Sequence, residues 1–151
     1  MAEVRFYHLE RQTLDQVLPQ LLTKALQNGH RIVVKAANEN QVEHLNTHLW
    51  TYDHNSFLPH GSAKDGNETN QPVWISEKLE NPNKSDVLVL AQEHETPEIE
   101  DTYTLVCDMI DGRNDDAVAA ARERWKAYKD AGHDVTYWQQ SPQGAWEKKS
   151  G

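Results

Sequence analysis

Two hydrophobic periods alternate along the chain. Val4 to His8 (VRFYH) has the apolar content and length of a short strand. Thr13 and Asp15 then offer capping oxygens, with Gln16 three positions after Thr13. Val17, Leu18, Leu21, Leu22, Ala25 and Leu26 follow at helical spacing, and Asn28-Gly29 stops them. Pro19 sits inside that run, so the helix either begins near Val17 or kinks at the proline. Arg31 to Ala36 (RIVVKA) predicts a second strand. Asn38 predicts the cap of a second helix carrying Val42, Leu45, Leu49 and Trp50 on one side. Strand, helix, strand, helix is the beginning of an α/β fold with a parallel pair.

From Thr51 to Gln71 the pattern breaks into polar and turn-forming residues, which predicts one long loop. Loops of that length in a compact domain usually carry function, and the apolar island Phe57-Leu58-Pro59 is more than a spacer needs. Pro72 to Ile75, Val87 to Leu90 and Thr104 to Cys107 predict further strands. A last helix is predicted from Asp115 to Ala131, with acidic residues at its start, Arg122, Arg124, Lys126 and Lys129 towards its end, and Gly132 after it. Val135 to Trp138 predicts a final strand. These elements make one domain over residues 1–138. The tail, 139–151, carries a turn signal at Ser141-Pro142 and can fold back as a short hairpin that packs Trp146.

Composition narrows the function. The 151 residues hold 15 Lys and Arg against 24 Asp and Glu, a net charge of −9 that opposes non-specific binding to DNA or an anionic membrane. No apolar run approaches the roughly 20 residues of a membrane span, and MAEVRFYHLE is not a signal peptide, so a cytoplasmic protein is expected. The single Cys107 cannot form an internal disulfide, and it excludes a zinc site built on several cysteines. In an apolar strand it reads as a packed small residue. Leu9-Glu10-Arg11-Gln12, after the first strand, has no glycine that would let a phosphate approach the backbone. His44 and His48 are one helical turn apart but lack the glutamate of the zinc-protease motif, and they read as two solvated helix histidines.

Two constellations remain. In Arg122-Glu123-Arg124-Trp125-Lys126-Ala127-Tyr128-Lys129, Arg122, Trp125 and Lys129 fall along one helix side. An acidic protein that concentrates cations and aromatic rings in one place suits an acidic peptide with an aromatic group or a free carboxylate. An amphipathic helix whose tryptophan is core and whose cations answer the dipole accounts for the same residues. Leu49-Trp50 with Phe57-Leu58-Pro59-His60 is either a partner surface or a pin for the loop.

Phe6-Tyr7, Leu49-Trp50 with Phe57-Leu58-Pro59-His60-Gly61, Gln71-Pro72-Val73 and the run Arg122 to Gly132, taken in order, resemble the chi subunit family of bacterial DNA polymerase III holoenzyme. The resemblance runs to Trp138. It implies a Rossmann-like three-layer α/β sandwich with a mostly parallel central sheet and no nucleotide-binding glycine loop. It implies an accessory subunit of the clamp-loader complex in DNA replication, without catalytic residues, metal or cofactor. The resemblance places a grip for the acidic, phenylalanine-ended tail of single-stranded DNA-binding protein on Arg122, Trp125, Lys126, Tyr128 and Gly132. Trp125 stands where a tyrosine is common in the family, and Val118-Ala119 where a lysine can occur. The resemblance also implies that Trp50, Phe57, Leu58, Pro59 and His60 hold the psi subunit or a substitute such as a repair helicase, with DNA reached mainly indirectly and no membrane contact. Two other classes compete: a small α/β enzyme binding an anionic metabolite through Arg122 and Lys126, and direct single-strand DNA binding on Trp125 and Tyr128, which the −9 charge opposes.

Overall fold

The computed structural model describes residues 2–51, 60–62, 71–92, 97–99, 102–143 and 145–150. Their elements in chain order are β1 (Glu3–Leu9), α1 (Leu14–Gln27), β2 (Ile32–Lys35), α2 (Glu39–Thr51), β3 (Gly61–Ser62), β4 (Val73–Ser76), β5 (Val87–Leu90), β6 (Leu105–Asp111), α3 (Asp115–Asp130), β7 (Asp134–Gln140) and β8 (Trp146–Ser150). The strands form one sheet in the order β3-β4-β2-β5-β6-β1-β7-β8. Neighbours are parallel except β7 and β8, which pair antiparallel with a register shift at Tyr137/Trp138.

Side-chain alternation sorts each strand onto two cores. Ile32, Val34, Val73, Ile75, Val87, Val89, Cys107 and Met109 pack with Val17, Leu18 and Leu22 of α1 and Leu45 and Leu49 of α2. Val4, Phe6, Val33, Trp74, Leu88, Val106 and Val135 pack on the opposite face with Ala121 and Tyr128 of α3. Topology requires this division. The crossovers through α1 and α2 step towards the β3 edge, whereas the one through α3 steps from β6 past β1 to β7. Right-handed crossovers running in opposite directions put their helices on opposite faces. The result is the expected Rossmann-like three-layer α/β sandwich with a mostly parallel central sheet.

Three local predictions are corrected. The segment 51–71 is not all loop: Gly61 and Ser62 pair with Trp74 and Ile75 as the sheet edge. Two residues with no alternation leave no strand signal, and Gly61 has no room for a β-carbon against the Gln71 side chain. The strand read as Thr104 to Cys107 runs to Asp111, because Asp108, polar but fully buried, breaks the apolar pattern without breaking the strand.

The first helix does not wait for Val17 to begin, and Pro19 lies inside it. It starts at Leu14, where the Thr13 N–H donates to Gln16 Oε1 at 2.9 Å. Pro19 has no N–H to serve the Asp15 carbonyl four residues back. His48 of α2 serves it instead, donating from Nε2 at 2.6 Å. His44 Nε2 meets the Asp15 carboxylate at 2.7 Å. The two histidines, stacked on each other, therefore clamp α2 to α1: His44 stays exposed, as expected of a helix histidine, while His48 is half-buried.

The tail packs as well: Trp146 sets its ring edge against Tyr7, with centroids 4.9 Å apart. Among the described residues, no helix is long and apolar enough to cross a membrane.

Candidate functional site

The site is built on α3. Asn114 caps the helix, its side-chain oxygen accepting from the Asp116 and Ala117 N–H groups at 3.0 and 3.2 Å. Asp115 and Asp116 add charge of the sign that the helix N-terminus favours. Ala121, Arg124 and Tyr128, three and seven positions apart, form the buried stripe. Arg124 is 2% exposed and grips Asp108 of β6 with two hydrogen bonds of 2.8 Å. The Tyr128 hydroxyl donates to the same carboxylate at 3.3 Å. A buried charge needs a partner of this quality.

With Arg124 turned inward, Arg122, Lys126 and Lys129 are exposed cations of this segment. Trp125 is half-buried. Its ring lies 5.6 Å from Phe6 and edge-on to Tyr137 at 6.4 Å, with Lys129 Nζ 5.0 Å above it. A groove of about 770 Å³ opens between α3 and the ends of β1 and β7. Phe6, Ile110 and Ala121 give it an apolar floor, and Arg122, Trp125 and Lys126 one wall. His8, Tyr137 and Gln139 form the facing wall. Glu123 approaches Lys126 at 4.0 Å, but both are largely solvated, so the pair ties up little of the lysine's charge.

Of the five residues that the family resemblance assigned to this grip, the structure brings together Arg122, Trp125 and Lys126. Tyr128 is 1% exposed and belongs to the core, because its helix phase is that of Ala121 and Arg124. Gly132 adopts φ +90 in the turn that ends α3 and does not line the groove. His8, Tyr137 and Gln139 are additions. Phe6 and His8 share a face with Tyr137 and Gln139, and Phe6 pairs with Tyr137 in register. That signal requires knowing that β1 lies beside β7, which the sequence does not state.

His8 is unusually placed. Its Nδ1 is hydrogen-bonded with the Tyr137 hydroxyl, and its Nε2 lies 3.6 Å from the Glu10 carboxylate. A β-carbon on Gly112 would run into the imidazole, so a glycine is required for the ring to lie where it does. Burial pushes the Tyr137 hydroxyl's pKa upward, while the Gln139 side chain and the Arg122 charge pull it partly back.

The second constellation is divided. Trp50 is 48% exposed, with its ring 4.3 Å from that of His60. His60 is buried, its Nε2 donating to the Asn46 carbonyl at 3.0 Å. Phe57, Leu58 and Pro59 lie outside the described residues.

A crevice of about 610 Å³ lies at the carboxyl ends of β1 and β6, where the chain reverses its direction of winding. Carboxylates of Asp15, Asp111 and Asp116 stand around it, where phosphate-binding folds present bare N–H groups. Among the described residues, no group of three or more His, Cys, Asp or Glu is placed to hold a metal ion. Burial raises the Cys107 thiol to about 12, so it stays protonated and unreactive at neutral pH.

The family model described as "DNA polymerase III chi subunit, HolC" matches residues 1–136. A probable DNA polymerase III subunit chi of Rickettsia prowazekii is 33% identical over 90 residues, 60% of this chain and 54% of that protein. The DNA polymerase III subunit chi of Escherichia coli K12 is 25% identical over 142 residues, 89% of this chain and 96% of that one. Its counterpart in Haemophilus influenzae is 24% identical over 128 residues, 82% of this chain and 85% of that one. The family match takes in every element from β1 through α3, and with them the helix that carries Arg122, Trp125 and Lys126; the chain belongs to the DNA polymerase III chi subunit family.

Proposed function

We propose that the protein is a non-catalytic accessory subunit of the DNA polymerase III clamp-loader complex, working in the cytoplasm during DNA replication. It links the replicase to single-stranded DNA-binding protein by holding that protein's acidic, phenylalanine-ended C-terminal tail. The observation that carries this reading is the α3 groove: Arg122 and Lys126 border an apolar floor on a chain of net charge −9. Arg122 offers a planar fork for a carboxylate, Lys126 a point charge, and Phe6 with Trp125 a surface against which an aromatic ring can lie. Trp50, with Phe57, Leu58, Pro59 and His60, serves a second partner, psi or a substitute such as a repair helicase.

Calorimetric titration with an acidic peptide ending in phenylalanine tests the grip. Affinity should fall with added salt, because exposed charges dominate capture, and a residue of affinity should persist because ring burial is not screened. Removing the terminal phenylalanine should abolish that residue. No heat of binding with the complete peptide at low salt would refute the proposal.

A further inference from the structure

The wall of the groove opposite Arg122 contains a titratable pair that the tail-binding reading does not use. His8 projects from β1 on the groove side, with its side chain 13% exposed, and its Nδ1 is engaged with the Tyr137 hydroxyl of β7. A phenol can donate to the neutral imidazole nitrogen and accept from the protonated one, so this bond survives a change of charge on the ring. Gly112, in the turn after β6, leaves the space in which the ring lies.

The charged groups around the ring are few. Just past the end of its own strand, Glu10 is 3.6 Å from Nε2 and is itself 66% exposed. From α3, Arg122, Glu123 and Lys126 line the same groove. From β6, Asp108 points to this face of the sheet, but its charge is already taken up by Arg124. From β7, Tyr137 is the ionisable neighbour, and its raised pKa keeps it neutral across the range in which histidines titrate.

Resting on the peptide-binding reading above, we propose that His8, positioned by Tyr137 and Gly112, makes the groove's hold on an acidic peptide proton-linked. With the ring neutral, one wall of the groove is cationic and the other is not. With the ring protonated, the facing wall gains one positive charge beside Glu10, and an acidic peptide lying in the groove is held more tightly. His8 is thus a third, proton-dependent cation of the site.

Calorimetry with the acidic, phenylalanine-ended peptide at pH 6.0 and 8.0 reads the linkage, since peptide carboxylates are ionised at both. Affinity should be about three- to tenfold higher at pH 6.0, the size expected of one added charge a few ångströms away in a partly solvated groove. His8→Leu should remove most of that dependence, read as the ratio of its affinities at the two pH values rather than from either affinity alone. Linkage is reciprocal, so saturating peptide should move the NMR titration midpoint of the His8 ring to higher pH. That measurement uses the unaltered chain and decides the matter if His8→Leu does not fold. Peptide binding with equal affinity at both pH values, a dependence that persists in His8→Leu, or an unmoved His8 midpoint would overturn the inference and leave the tail reading standing. Absence of peptide binding at either pH would remove both.

Discussion

Arg122 and Arg124 are two positions apart on one helix and have opposite environments. Arg122 is exposed at the groove, and Arg124 is locked onto Asp108 beneath the helix. Arg122→Ala should cost about 1.5–3 kcal/mol of binding to the acidic peptide, the range for a hydrogen bond to a charged group, with an unchanged urea midpoint. Arg122→Lys should recover only part of it, because an ammonium cannot reproduce the two-pronged contact. Arg124→Met should do the reverse: it strands a buried carboxylate and should lower stability by about 3–5 kcal/mol in urea unfolding. Adding Asp108→Leu to that variant should restore much of the loss, because a pair replaced by apolar residues is often neutral. The cation–aromatic run itself was legible in the sequence, but the direction of each arginine was not. Ala121, Arg124 and Tyr128 share a helix face, yet only Asp108, in a strand 16 residues upstream of Arg124, explains why a charge belongs there.

Between elements, the contact of α1 with α2 rests on a local defect. Pro19 leaves the Asp15 carbonyl without its helical donor, and His48 completes it. His48→Ala should therefore cost about 1 kcal/mol in the natural background. In a Pro19→Ala background, where residue 19 supplies an N–H, the same change should cost markedly less. The coupling energy of that double-mutant cycle, read from chemical unfolding, measures the bond, and a coupling of zero would remove the defect as its cause. The helices and buried strands were legible because their apolar residues repeat at clear periods. The His44/His48 clamp was not, since its partner lies on another helix and nothing in the local pattern of α2 shows that α1 contains a vacant carbonyl. The strand β3 was illegible for a different reason: it is two residues long and is defined by its neighbour β4 rather than by its own composition.

At the scale of the molecule, the groove and Trp50 belong to different helices, α3 and α2, which lie on opposite faces of the sheet. The two surfaces should act independently. Trp50→Ala should leave the thermal midpoint and the peptide affinity nearly unchanged, the latter within a few tenths of a kcal/mol. It should weaken capture of purified psi by about 2 kcal/mol or more, as loss of a central aromatic anchor does. A large fall in the thermal midpoint would make Trp50 a structural pin instead. The α/β class was readable from the order of elements, and the cation–aromatic run of α3 from its residues. The facing wall of the groove was not, because β1 sits between β6 and β7 and joins the two ends of the chain.

With a net charge of −9, the chain is expected to reach single-stranded DNA through a protein and not directly. Fluorescence titration of the labelled chain against an oligonucleotide coated with single-stranded DNA-binding protein, intact or lacking its acidic C-terminal tail, separates the two routes. Saturable binding to the intact complex at physiological salt, lost with the tail and absent from the bare oligonucleotide, is the predicted result. Equal binding to the tailless complex, or tight binding to the bare oligonucleotide, would contradict it.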